Sequence, residues 1–92
     1  MTFSGKTMLS LFFTEAAKKQ LRALRTNERL SAKIKALIAD SCQHPFTGLG
    51  KPEPLKGNLA GCWSRRIDQK NRLIYRVINP DLIVISLIGH YE

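Results

Sequence analysis

The 92-residue sequence predicts a single α+β domain, an N-terminal helical hairpin packed on an antiparallel sheet in the order β-α-α-β-β-β. Three observations predict it. A short apolar run lies near the start, two stretches with apolar residues at helical spacing follow, and three β-rich segments joined by short polar turns come last. Apolar residues make up 43% of the chain, enough for one modest core. Residues 1–92 are therefore read as one domain.

Met8-Leu9-Ser10-Leu11-Phe12-Phe13 is short, apolar and partly alternating, which suits a strand. Thr14 then caps a helix, with Glu15 in its positive first turn. Ala17, Leu21 and Leu24 fall on one stripe of that helix, and Lys18, Lys19, Arg22 and Arg25 on its other faces. Asn27 caps a second helix whose stripe is Leu30, Ile34, Leu37 and Ile38, running to about Ser41. Residues 44–61 hold three Pro and four Gly, which argues against regular structure. Strands are predicted over 62–67, 72–78 and 82–88, joined by Asp68-Gln69-Lys70-Asn71 and by Asn79-Pro80-Asp81. Such short connections make antiparallel neighbours. On the middle strand Arg72 and Arg76 share one face and Leu73, Tyr75 and Val77 the other. The last strand is apolar on both faces until Ser86, which places it inside the sheet.

Fifteen Lys and Arg against seven Asp and Glu give a net charge of +8, spread along the chain. A small domain so basic suits a polyanion, above all nucleic acid. Cys42 and Cys62 have no partner at metal-ligand or CxxC spacing and read as small core residues of a reducing compartment. No apolar run approaches the roughly 18–20 residues of a membrane span, and residues 8–13 are too short for the core of a signal peptide. A cytoplasmic protein with no membrane partner is expected.

Among the seven carboxylates, Glu15 and Glu28 begin helices, Asp40 closes one, and Asp68 and Asp81 sit in turns. Glu53 stands apart, stiffened by Pro52 and Pro54 and flanked by Lys51 and Lys56. Its bland alternative is an exposed loop glutamate. His90 and Tyr91 end a strand predicted to be buried, whereas His44, before Pro45, has no role. Arg65 and Arg66 point to opposite faces of one strand, so one can meet a ligand while the other braces a loop. Lys51, Lys56, Arg65 and Arg66 are the candidate RNA-binding cations. RNA carries its own nucleophile, the 2′-hydroxyl. A carboxylate can take its proton, an imidazolium can protonate the departing 5′-oxygen, and an arginine can hold the charge on phosphorus. Such chemistry needs no metal or other cofactor.

Gly50-Lys51-Pro52-Glu53-Pro54-Leu55-Lys56, then Asn58-Leu59, Gly61, Trp63-Ser64-Arg65-Arg66-Ile67, Arg72-Leu73-Ile74-Tyr75 and His90-Tyr91, closely resembles the YoeB (Txe/YoeB) toxins of the RelE-like superfamily. The resemblance covers residues 45–91; ahead of them only the strand–helix–helix order is shared, and because the resembling chains begin directly at the first strand, it implies that residues 1–7 are a flexible extension. It implies the toxin of a type II toxin–antitoxin module, a metal-independent endoribonuclease that cleaves mRNA in the ribosomal A site. It also implies roles: Glu53 as general base, Arg72 as the phosphate's stabiliser, His90 as general acid, Tyr91 as a stacking or positioning group. The implied partners are a YefM-like antitoxin with an acidic, partly disordered segment, the 70S ribosome with its mRNA, and a second copy in a homodimer. Two other readings are a gyrase-poisoning relative, expected to lack the Glu53, Arg72 and His90 set, and a non-catalytic RNA-binding module, which leaves the proline-clamped glutamate unexplained.

Overall fold

A computed structural model describes residues 8–87. The expected extension, residues 1–7, lies outside that range. Strand β1 (Ser10–Phe13) runs straight into helix α1 (Glu15–Leu24), and α2 (Glu28–Gln43) follows after residues 25–27. Both predicted caps form. Thr14 Oγ1 accepts the Ala17 amide at 3.1 Å and donates to the Ile85 carbonyl at 2.9 Å, tying the helix start to the last strand. Asn27 Oδ1 accepts the Leu30 amide at 3.0 Å. Caps of this kind contribute about 1 kcal/mol each.

The second half supplies β2 (Glu53–Pro54), a 3₁₀ turn (Gly57–Leu59), β3 (Cys62–Arg66), β4 (Arg72–Ile78) and β5 (Asp81–Ser86). The sheet order is β1-β5-β4-β3-β2. Strands β2 to β5 are antiparallel to their neighbours, but β1 lies parallel to β5, with Ser10 opposite Asp81 and Phe13 opposite Val84. The sheet is therefore five-stranded and mixed, not the four-stranded antiparallel sheet predicted. The reason is topological. Short turns dictate antiparallel pairing only for strands they join, and β1 reaches β5 through the helical hairpin and the whole meander. β5 does lie inside the sheet, as its apolar faces predict.

The second correction is β2. The proline-flanked stretch makes strand pairing after all, Glu53 opposite Ser64 and Pro54 opposite Trp63. The Leu55 amide extends it by donating to the Cys62 carbonyl at 2.9 Å. A proline is tolerated because β2 is an edge strand. Its pairing stays two residues long.

Both helices cover one face of the sheet. Ala17, Ile34, Leu37 and Ile38 pack there on Leu73, Tyr75, Leu82, Val84 and Leu87. Among the described residues the other face carries no helix; Arg72, Ile74 and Arg76 of β4 project to it, as the two-residue period predicts, with Ile74 buried between the two arginines. Cys42 and Cys62 are buried and unbridged, and burial pushes the Cys42 thiol up. No helix among the described residues is long and apolar enough to cross a membrane.

One buried cation organises residues 44–50. Arg65, 0% exposed, donates from Nε to the Tyr75 hydroxyl at 3.0 Å and from Nη1 to Asp40 Oδ2 at 2.6 Å. Its nitrogens also reach the carbonyls of Leu49 and Thr47, at 3.0 and 2.9 Å, and that of His44. Tyr75 Oη donates onward to the Pro45 carbonyl at 2.6 Å. The loop is thus clamped between the end of α2 and the sheet. Gly50 (φ 78°) follows where a Cβ would stand 2.8 Å from Leu37 Cδ2, so only glycine fits without a shift. Lys51 (φ 53°) adopts a left-handed backbone, which costs an L residue roughly 1–2 kcal/mol.

Partial burial opposes ionisation of Asp40, but the hydrogen bonds from Arg65 and the Leu49 amide, with the Arg65 charge, outweigh it and hold the carboxyl below its ordinary value. A carboxyl lowered on folding stabilises the fold above its unfolded pKa, about 4, and that contribution is lost as pH falls through the folded value. The melting temperature should therefore drop on acidification below about pH 4. Asp40→Asn should melt lower at neutral pH and show a flatter acid limb; an unchanged limb would mean the pair does not govern acid stability.

Candidate functional site

Residues directly opposed in an antiparallel pair project to the same face. Glu53 opposes Ser64 and Ser64 opposes Ile74, so one row crosses the helix-free face from edge strand to centre. Two residues nearer the sheet's end, Arg66 opposes Arg72 on that same face. Strand spacing puts the Cα atoms of Glu53 and Arg72 roughly 12 Å apart, close enough for two long side chains to meet one phosphate. Glu53, Arg66 and Arg72 are thereby brought together at one end of one face.

The local sequence explains why they are held there. Asp68 accepts the amides of Lys70 and Asn71 at 2.8 and 2.7 Å and the Asn71 side chain at 3.1 Å, closing the turn between β3 and β4. Those bonds, the Asn71 amide foremost, keep the Asp68 carboxyl below its usual value. Arg72 Nη1 donates to the Asp68 and Asn71 carbonyls at 3.0 and 3.3 Å, which orients its guanidinium over the turn. The result is a shallow groove of about 380 Å³ lined by Lys33, Arg66, Ile67, Asp68, Gln69 and Arg72. Lys51 and Lys56 are exposed and stand in the chain just before and just after β2.

Arg65 does not belong with these cations. Its complete burial and its bonds to Tyr75, Asp40 and three loop carbonyls leave it no access to RNA, so it braces the loop and Arg66 alone faces outward. His90 and Tyr91 lie outside the described residues. β5 ends with Ser86 opposite Ile74, one same-face step from Arg72, so the C-terminal end of this strand lies at the end of the sheet that carries the arginines. Gln20 of α1 secures that end: its Oε1 accepts the Leu87 amide at 2.6 Å and the Ser86 hydroxyl at 3.4 Å. Neither Gln20 nor Lys33 stood out in the sequence, where both look like ordinary solvated helix residues. Only the packing of each helix on the sheet reveals them.

Two helices packed on one face of a five-stranded mixed sheet are the architecture of YoeB/RelE-like toxin domains. The sequence profile of the YoeB-like toxin of bacterial type II toxin-antitoxin systems matches residues 12–91. Toxin YoeB of Synechocystis is 41% identical over 85 residues, 91% of this chain and 99% of the relative. The solved YoeB/ParE toxin from Agrobacterium tumefaciens superposes with a TM-score of 0.86 at 41% identity, covering 90% of this chain and 100% of that one. Staphylococcus aureus YoeB, at 32% identity and covering 92% of this chain and 100% of that one, matches as a dimer with a TM-score of 0.83 and in a YoeB-YefM complex with 0.81. The chain belongs to the YoeB family and is a toxin of the type II toxin–antitoxin class.

The two adjacent arginines should separate cleanly. Arg65→Ala strands Asp40 and several carbonyls in a poorly hydrated site and should cost about 3–5 kcal/mol of stability. Arg66→Ala, on the exposed face, should change stability by less than about 0.5 kcal/mol while weakening RNA binding. Denaturant melts and RNA titrations on both variants measure the contrast; equal stability losses would contradict it.

Proposed function

We propose that this toxin is a ribosome-dependent endoribonuclease that cleaves mRNA in the A site by acid–base catalysis without a metal. The observation that carries the reading is the gathering of Glu53, Arg66 and Arg72 at one end of the helix-free face. In the reaction Glu53 takes the proton of a 2′-hydroxyl, whose oxygen attacks the adjacent phosphorus. A 2′,3′-cyclic phosphate forms as the bond to the 5′-oxygen breaks, and His90 delivers the proton that this oxygen needs. Arg72 opposes the charge that builds on the phosphoryl oxygens, and Tyr91 positions a base. Lys51, Lys56, Arg66 and the overall charge of +8 draw in the RNA backbone.

The nucleophile belongs to the substrate, so the protein need only move two protons and stabilise charge. General acid–base groups and charge-stabilising donors each commonly supply ~10²–10⁴ in rate. The same basic surface suits inhibition by an acidic, partly disordered antitoxin segment, and the S. aureus relative is solved in a complex with YefM. Self-association is a further expectation, since that relative also forms a dimer.

Primer extension on mRNA in a translating extract tests the reading. In-frame cuts at ribosome-occupied codons support it, and uniform degradation or no cleavage contradicts it. Glu53→Gln and His90→Gln should each slow cleavage by ~10²–10⁴ with melting temperature and ribosome binding kept. His44→Gln, at a histidine to which this mechanism gives no role, should cleave like the wild type.

A further inference from the structure

The row containing Glu53 has a basic neighbour on each side. Toward the sheet's end stand Arg66 and Arg72. In the opposite direction the next row across the helix-free face reads Cys62, Arg76, Ile83 and Phe12, each directly opposed to the next. Arg72 and Arg76 are four residues apart on one strand, roughly 13 Å, with the Glu53 row midway between them. Phe12 stands two strands from Arg76, roughly 10 Å away.

Arg76 is exposed, and its guanidinium lies alongside Gly61, where an added Cβ would come within 3.6 Å of Nη2. Among the described residues no carboxylate lies within ion-pair distance of it. The acid displayed nearest on this face is Asp81, one row farther on, opposite Ile78. Phe12 is 52% exposed although it sits in regular sheet, its ring on the face opposite Leu11 and Phe13, which turn toward the helices. A lone exposed apolar residue is unremarkable. Here an exposed aromatic shares a row with an unpaired cation and adjoins a row that carries a candidate base. Cations for the backbone beside an aromatic for a base are what single-stranded nucleic acid requires of a sheet surface.

We propose that Arg76 and Phe12 form a second single-stranded RNA subsite beside the reacting phosphate, Arg76 holding a flanking phosphate and Phe12 stacking a base. The inference deepens the ribonuclease reading and rests on it for the path of the RNA across Glu53. The strand crosses the face obliquely, from the Arg66–Arg72 groove over the Glu53 row to Arg76, with the flanking base turned toward β1.

The test uses the full chain and a fluorescent 2′-O-methyl oligouridine, single-stranded and uncleavable by its own 2′ position, titrated at several KCl concentrations. Arg76→Ala should reduce the slope of log affinity against log salt by about 0.7, the value for one lost phosphate contact on a single strand. Phe12→Leu keeps an apolar side chain on β1 but loses the ring. It should weaken binding roughly tenfold at every salt concentration with the slope unchanged. Arg29→Ala, exposed on α2, should alter neither. On ribosome-bound mRNA both subsite variants should raise KM and leave kcat within about twofold. A full salt slope in Arg76→Ala, full affinity in Phe12→Leu, or no binding by the wild type overturns the subsite. If the variants bind as predicted but the wild type cleaves no RNA, the subsite stands and the ribonuclease reading falls.

Discussion

Taking a guanidinium out of water costs several kcal/mol unless its N–H groups all find acceptors, and Arg65 finds five: a phenol, a carboxylate and three backbone carbonyls. Those acceptors come from β4, from the last turn of α2 and from the loop that follows it. The pieces meet only in the folded chain, so the charge is tolerable only when the loop is in place. This dependence runs on into the site. The clamped loop delivers Gly50, whose carbonyl accepts the Arg66 amide at 2.7 Å, and then the left-handed Lys51. Together they launch β2 in the register that sets Glu53 against Ser64. A carboxylate on a two-residue edge strand keeps its place because a buried arginine holds the segment before it.

The two faces of the sheet divide the labour. The helices close over one face and build the core, and the Thr14 cap ties the start of α1 to β5. The other face, spared helices, shows its arginines to solvent. Because side chains alternate along a strand, Arg65 and Arg66 fall to opposite duties although they are neighbours of identical chemistry. One makes the loop rigid; the other lies in the groove with Arg72. A lysine in place of Arg65 would offer three donors from a single point and could not span the same five acceptors.

Much of this was legible in the residues. The caps Thr14 and Asn27 declared both helices, and β4 emerged over its predicted residues because alternation and flanking turn residues agreed. The parallel placement of β1 was hidden, since no local signal reports the partner of a strand whose connection is long. The pairing of Glu53–Pro54 was hidden by its prolines, which mark loops more often than edges. Glu53 drew notice because no stability role explained it, and Arg72 only because it opens the Arg72-Leu73-Ile74-Tyr75 stretch that carries the family resemblance. Which member of Arg65-Arg66 is buried could not be read, because it depends on where Asp40 and Tyr75 arrive in space. The contributions of Lys33 and Gln20 depend on helix packing and leave no trace in spacing.

The central claim is that the substrate's own 2′-hydroxyl is the nucleophile, with Glu53 and Arg72 serving it. A reporter mRNA carrying a single 2′-deoxynucleotide immediately 5′ of the cleaved bond, presented on the ribosome, tests this most directly. The account predicts that cutting stops at that bond and continues in the all-ribose control, whose product ends in a 2′,3′-cyclic phosphate by mass spectrometry. Cleavage of the deoxy-substituted bond at the control rate, or a product ending in a free 3′-hydroxyl, would contradict it.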